Sequence, residues 1–318
     1  MNEEHVSFTS GGTTLAGTIV TPDSPGPHPI ALIVAGSGPL DRDGNHKRMP
    51  LGISRDLAEH LAGHGWASFR YDKRGVGESK GDYLSTGFYE ELADVEAALF
   101  CLRERRAGQP VVVIGHSAGA VQAGELAAHQ PDLNGAVLLA TSVKTGDETL
   151  RWQAAQMQDV IVPAAARAVL KLFRTSIVKQ QARAIDTLSN TTGDVERIQL
   201  AKVNAKWMRE YIAHDPEPAL REAKVPLLAI TGTKDVQVDA RDIDRILEIA
   251  PAGTQGHSMP DVDHILRHEP ADVSNPRRYS KQRKNPVDPR VLDTLVEWLG
   301  RLPASPGADA GSNQRDRH

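Results

Sequence analysis

The chain contains one cysteine, Cys101, so no internal disulfide can form and a cross-linked scaffold is excluded. Aromatic residues are scarce at 4%, which leaves aliphatic side chains to build the core. No apolar run approaches the roughly 20 residues that a membrane-spanning helix needs. The opening MNEEHVSFTS has no basic segment followed by an apolar stretch, unlike a secretory leader. Neither sign of charge dominates: 37 Lys and Arg face 41 Asp and Glu, for a formal net charge of −4. Such a balance creates no field that gathers nucleic acid. The expectation is a cytoplasmic protein with neither nucleic acid nor membrane as a partner. The basic stretch RRYSKQRKN at 277–285 reads as a solvated, proline-bounded loop.

The 318 residues, 40% of them hydrophobic, suffice for a self-supporting core. HVSFTS and TTLAGTIV, joined by Gly11 and Gly12, read as an antiparallel hairpin. The mostly apolar runs 30–36, 67–72, 111–115, 135–141 and 225–231 then read as strands covered on both faces. Helical patterns lie between them, as in ISRDLAEHLAGHG and YEELADVEAALFCLRERR. That alternation predicts an α/β fold with a mostly parallel sheet, helices on both faces and right-handed crossovers. Residues 147–218 break the rhythm and read as several amphipathic helices without a strong strand between them. The expected organisation is a core of 1–146 and 219–302, a helical cap of 147–218 inserted over the sheet, and a disordered tail at 303–318.

VVVIGHSAGAV at 111–121 runs a buried strand into Gly115, His116, Ser117, Ala118 and Gly119 and then into a helix. This is the setting of a nucleophile elbow, in which small residues make room for a sharp turn that lifts the serine Oγ out of the sheet. A helix starting just past the serine leaves backbone N–H groups without intrahelical partners. That of Ala118 is the expected oxyanion donor. A serine hydroxyl also needs a histidine to take its proton and an acid to orient that histidine. Asp235, in the glycine-started loop after LLAITG, is the candidate acid, with Asp239 as its rival. His264 in VDHILRH is the candidate base, with His257 and His268 as alternatives. The order serine, acid, histidine agrees with one of the three known chain orders of such a triad.

VAGSGPLDRDGNHK at 34–47 begins where the first core strand ends. It can bring a second oxyanion donor, Ser37 N–H first and Gly38 N–H next, while Gly36 and Gly38 let the main chain approach a substrate. Its spacing matches neither phosphate-binding glycine motif. Asp41, Arg42 and Asp43 are expected to order this loop by local pairing, and Asp72 and Arg74 to brace the neighbouring YDKRGVGES. Cys101, on a predicted helix, reads as a packed small residue.

GHSAG on its strand-to-helix turn, AGSGPLDRDGN, YDKRGVGES, TGTKDVQVD and VDHILRH occur in this order across nearly the whole chain. Together they resemble the α/β-hydrolase superfamily. More narrowly, they resemble bacterial capped serine esterases grouped with dienelactone hydrolases and prolyl-oligopeptidase-like domains. The resemblance implies a core sheet of about eight strands, a helical cap and a triad of Ser117, Asp235 and His264, with Ser37 and Ala118 forming the oxyanion hole. The position before the loop glycine, often histidine in that family, is Ala35 here, and the strand before the histidine is weakly apolar.

The expected activity is hydrolysis of a small or medium acyl ester through an acyl-serine, with water as the second substrate and with no cofactor and no metal. A thioesterase, peptidase or acyltransferase would use the same residues, and a noncatalytic ligand-binding module is the reading from another class. Gly36, Gly38 and His116 are expected beside the substrate. From the cap, Trp152, Met157, Phe173 and Trp207, together with Met208 and Tyr211, are candidates to line an acyl pocket. A homo-oligomer is left open.

Overall fold

The computed structural model describes residues 1–161, 176–198 and 201–303. The expected tail, beyond its first residue, lies outside them. The described strands are β1 (Asn2–Ser10), β2 (Thr13–Thr21), β3 (Ile30–Val34), β4 (Asn45–His46), β5 (Met49–Pro50), β6 (Ala67–Tyr71), β7 (Val111–His116), β8 (Gly135–Leu139), β9 (Val195–Ile198), β10 (Ala201–Asn204), β11 (Leu227–Gly232) and β12 (Gln255–Met259). Eight of them form one sheet in the order β1-β2-β6-β3-β7-β8-β11-β12. β1, β2 and β6 pair antiparallel, and all pairings from β6 to β12 are parallel. The structure thus has the mostly parallel α/β-hydrolase sheet that the sequence predicts.

The strand sequences explain their places. β3 (IALIV), β7 (VVVIGH) and β8 (GAVLL) are buried at every position, as helices on both faces require. Helices Phe88–Arg105 and Ala118–His129 cover one face, where Val95, Leu99 and Leu126 join Leu32 and Val113 in a core cluster. Helices Ile53–Gly63 and Pro289–Leu299 cover the other, where Leu57, Leu61, Val291 and Leu295 meet Ile33 and Ile114. Polar β12 is the last strand in the order and carries exposed His257 and Ser258. An edge strand with one solvated side does not need an apolar run, which accounts for its weak sequence signal.

From β3 the chain crosses to β6 on one side and returns to β7 on the other. The carboxyl ends of β3 and β7 therefore flank a topological switch point, where open α/β sheets hold their ligands. The segment after β8 adds helices Gly146–Ile161, Ile177–Ser189 and Ala205–Ala213. It also contains the antiparallel pair β9–β10, which corrects the expectation that 147–218 consists of helices alone. Val195 and Val203 belong to the short pair, and Asn204 ends it by accepting a hydrogen bond from the Trp207 N–H, capping the helix that follows.

Candidate active site

Ser117 sits between β7 and helix Ala118–His129 with φ 55° and ψ −122°. A serine in that conformation is strained by about 1–3 kcal/mol and persists only where neighbours fix it. Here its N–H donates to the Leu139 carbonyl at 2.8 Å, and its own carbonyl accepts from Ala120 N–H at 2.8 Å. The glycines at either side are steric necessities. A Cβ on Gly115 would run into the Gly119 backbone, and one on Gly119 into the Val34 and Ala35 carbonyls. Only with both hydrogens in place can the helix start so close to β3 and β7.

Asp235 and His264 come from the loops after β11 and β12. Gly232 brings these loops together, because any side chain there would collide with the Val262 carbonyl. Thr233 N–H donates to Met259 O and Lys234 N–H to Val262 O, both at 2.9 Å. Asp235 Oδ1 accepts from the N–H groups of Gln237 and Val238 at 2.7 and 3.0 Å. Its Oδ2 lies 2.8 Å from His264 Nδ1, and His264 Nε2 lies 3.1 Å from Ser117 Oγ. With Asp235 ionised, Nδ1–H donates to the carboxylate and Nε2 is left to accept from the serine hydroxyl. The alternatives sit elsewhere: His257 and His268 are exposed, and Asp239 pairs with Arg241 and Lys144.

The Ser37 and Ala118 N–H groups donate to no protein acceptor among the described residues, and both residues line the cavity that contains Ser117. His116 points the other way. Its ring is buried, and Nε2–H donates to the His264 carbonyl at 2.8 Å. Burial, with the neighbouring His264 adding to it, pushes the His116 pKa down to about 3, so the ring is neutral.

The oxyanion-side loop is held by distant partners as well as by its own. Asp41 accepts from the N–H groups of Asp43 and Asn45 within the loop. Arg42 instead reaches Asp72, at 2.6 Å, and Asp43 meets Arg70 at 3.0 Å. Asp72 does not pair with Arg74, since Arg74 pairs with Asp94 at 2.6 Å, but Asp72 braces its own segment by accepting from Glu78 N–H and Ser79 Oγ–H. Cys101 is half-buried against the core, as a small packing residue.

The cavity at Ser117 has a volume of about 640 Å³ and extends beneath the inserted helices. Trp207, Met208 and Tyr211 line it. Trp207 stacks on Tyr211 at 4.8 Å and meets Phe88 edge-on at 5.9 Å. Its Nε1–H donates to Glu91 Oε2 at 2.9 Å, and the buried Lys73 ammonium donates to the same oxygen at 2.9 Å. These bonds fasten the inserted helix to the core beside Ser117. Trp152 and Met157 line neither this cavity nor its smaller neighbour, which corrects their expected role. Thr149, Leu150 and Gln153 face the cavity. At 100° per residue, Trp152 is turned about 100° from their stripe, and Met157 is one turn further along. Phe173 lies outside the described residues.

Gln237 escaped the sequence reading, although it lies two residues past Asp235. Its Oε1 accepts from Gln153 Nε2 at 2.9 Å, tying the acid loop to the first inserted helix. A glutamine in a polar loop carries no motif, so only its position reveals it. Among the described residues no group of His, Cys, Asp and Glu could hold a metal ion, and no helix is long and apolar enough to cross a membrane.

The sheet, the switch-point crevice and the inserted helices are those of the α/β-hydrolase fold. The chain belongs to the serine aminopeptidase S33 family, matched over residues 51–271. It is 27% identical to esterase EstD of Thermotoga maritima over 288 residues, 90% of this chain and 65% of EstD. The chain thus spans just under two thirds of that relative's length. It is 24% identical to human monoglyceride lipase over 253 residues, 78% of this chain and 79% of the lipase. Among solved structures, the α/β hydrolase GrgF of Penicillium sp. sh18 superposes with a TM-score of 0.63 at 15% identity, covering 95% of this chain and 99% of that one. Est1E of Butyrivibrio proteoclasticus, bound to ferulic acid, gives 0.60 at 14% identity, covering 93% and 100%. At these identities the likeness to solved structures is one of fold.

Proposed function

We propose that the protein is a serine carboxylic-ester hydrolase in which Ser117, His264 and Asp235 act as nucleophile, general base and orienting acid. The observation that carries this reading is the line of hydrogen bonds from Asp235 through His264 to Ser117, ending in a cavity beside the N–H groups of Ser37 and Ala118. Ser117 Oγ attacks the ester carbonyl carbon as its proton passes to His264 Nε2, and the Asp235 carboxylate stabilises the imidazolium. The carbonyl oxygen becomes an oxyanion that accepts from the two N–H groups, each worth roughly 3–4 kcal/mol in comparable chemistry. Collapse breaks the bond to the leaving oxygen, which takes the proton from Nε2 and departs as an alcohol. Water then repeats the sequence on the acyl-serine, giving the acid and restoring Ser117.

An ester fits the cavity better than the free amino-terminus an aminopeptidase must hold. Among its described lining residues no Asp or Glu is available to an ammonium group, and the one Lys or Arg there is the exposed Lys202. Thioester hydrolysis and acyl transfer would pass through the same acyl-serine. The resemblance to capped esterases grouped with dienelactone hydrolases belongs to this reading too, carried by the AGSGPLDRDGN loop and the inserted helices.

A short-chain p-nitrophenyl ester assay with the Ser117→Ala variant tests it. Turnover should fall by at least 10³-fold with an unchanged thermal unfolding curve. Turnover persisting in purified variant removes Ser117 from the mechanism.

A further inference from the structure

Ser117 stands at the junction of two cavities rather than at the end of one. Besides the large cavity, a second of about 220 Å³ is lined by Ser117, His264 and the glycine-rich loop. Gly36 and His116 form part of its floor. Met49, Leu51 and Ile53 from the β5 hairpin and helix start line it together with Ile265 and Tyr279. Ser37, Gly38, Ser117, Gln237 and His264 line both cavities, so the two meet at these residues.

The chemistry of the small cavity is specific. No Asp, Glu, Lys or Arg is among its described lining residues, and its histidines are His46, the proposed base His264 and His116, which burial holds neutral. A carboxylate or ammonium entering would lose its hydration without meeting a carboxylate, ammonium or guanidinium of opposite charge among these residues. A cavity of about 150 Å³ already accommodates a benzene ring, so this one holds a ring or a branched group of similar bulk.

We propose that the small cavity is a second substrate subsite, which takes a compact, uncharged, ring-sized apolar group on one side of the scissile ester bond while the remainder lies in the large cavity. The inference rests on the esterase reading and narrows its substrate class. The oxyanion donors and His264 fix the direction in which an ester lies across Ser117. Only one side of the bond can therefore face Met49.

The test compares benzyl acetate with methyl phenylacetate, each against methyl acetate, in the wild type, Met49→Trp and Met49→Ala. Filling the cavity with tryptophan should lower the kcat/KM ratio for one of the two ring-bearing esters by roughly 10- to 100-fold, as loss of a buried ring implies. The other ester's ratio should move far less. Met49→Ala should instead raise the ratio for a naphthyl analogue on the affected side, which keeps the test available if the tryptophan variant does not fold. Ratios that stay level, or rates that fall equally for all esters because a water route is blocked, overturn the subsite. A readout without chemistry separates this from failure of the esterase reading: benzyl alcohol should bind Ser117→Ala protein, by NMR line broadening, and lose that binding when Met49→Trp is added. Retained binding places the ring elsewhere and also overturns the proposal.

Discussion

His116 Nε2 lies 2.8 Å from the backbone carbonyl oxygen of His264. The residue before the proposed nucleophile thus holds the loop that carries the proposed base. Both ends of the Ser117–His264 hydrogen bond are fixed relative to one another by a contact independent of substrate. His116 is a positioning residue in this arrangement.

Replacing it should lower kcat more than it changes KM. A displacement of about 1 Å in the base can cost on the order of 100-fold in rate, so His116→Ala should lose 10- to 100-fold in kcat on a short ester. His116→Gln, which retains a side-chain N–H donor, should recover part of it. Because the ring is neutral down to about pH 3, its removal should not add or delete a limb of the pH–rate profile between pH 5 and 9. Equal losses in the alanine and glutamine variants would show that the hydrogen bond is not what matters.

Asp263 gives a prediction about pH and stability. Its carboxyl is fully buried, with Oδ1 accepting from Ile265 and Arg267 N–H at 3.1 Å each. Oδ2 has no partner among the described residues. Burial pushes its pKa up to about 6, in surroundings that include Asp235, His264 and Arg267. A raised carboxyl pKa means that the fold favours the protonated form. This group's contribution is therefore fully present below about pH 4 and lost as pH rises through 6. A rise from 3.8 to about 6 corresponds to roughly 3 kcal/mol. Asp263→Asn keeps the Oδ1 acceptor without the charge. Its stability relative to the wild type, from urea unfolding, should rise by about that amount between pH 4 and pH 7. A constant difference across that range refutes the assignment.

Legibility in the sequence followed the range of the interactions. The core strands were readable because double burial demands continuous apolar runs, and β3, β7, β8 and β11 all have them. The corner at Ser117 was readable because Gly115 and Gly119 are steric requirements written within five residues. His264 was harder to single out, since the edge strand before it is polar and two other histidines lie close in sequence. Its distinction from His257 and His268 comes from Gly232 and the bonds that join the two loops, which are tertiary. The β9–β10 pair was missed because its strands of four residues each depend on pairing with each other rather than on a long pattern. The Gln237–Gln153 bond and the Arg42–Asp72 pairing were invisible for the same reason, as their partners lie 84 and 30 residues apart in the chain.

The Arg42–Asp72 pair shows what such a distant contact contributes. Asp72 is buried, and it accepts from the Arg42 and Glu78 N–H groups at 2.7 and 2.9 Å as well as from the Arg42 guanidinium. Those bonds outweigh burial and hold its pKa below the usual carboxylate range. The pair's contribution is accordingly present above about pH 4 and lost as pH falls through the lowered value. Arg42→Ala leaves the carboxylate buried beside two N–H groups but without its counter-charge, at a cost of about 3–5 kcal/mol. Asp72→Asn in the Arg42→Ala background should restore part of that stability by removing the orphaned charge. Arg42 lies only five residues beyond Ser37, so loosening its anchor should also misplace the Ser37 N–H and lower kcat in Arg42→Ala more than KM changes. Measuring both variants by thermal unfolding and ester turnover checks the two effects separately. If Arg42→Ala is destabilised yet keeps full kcat, the pair supports the fold without positioning the oxyanion donor.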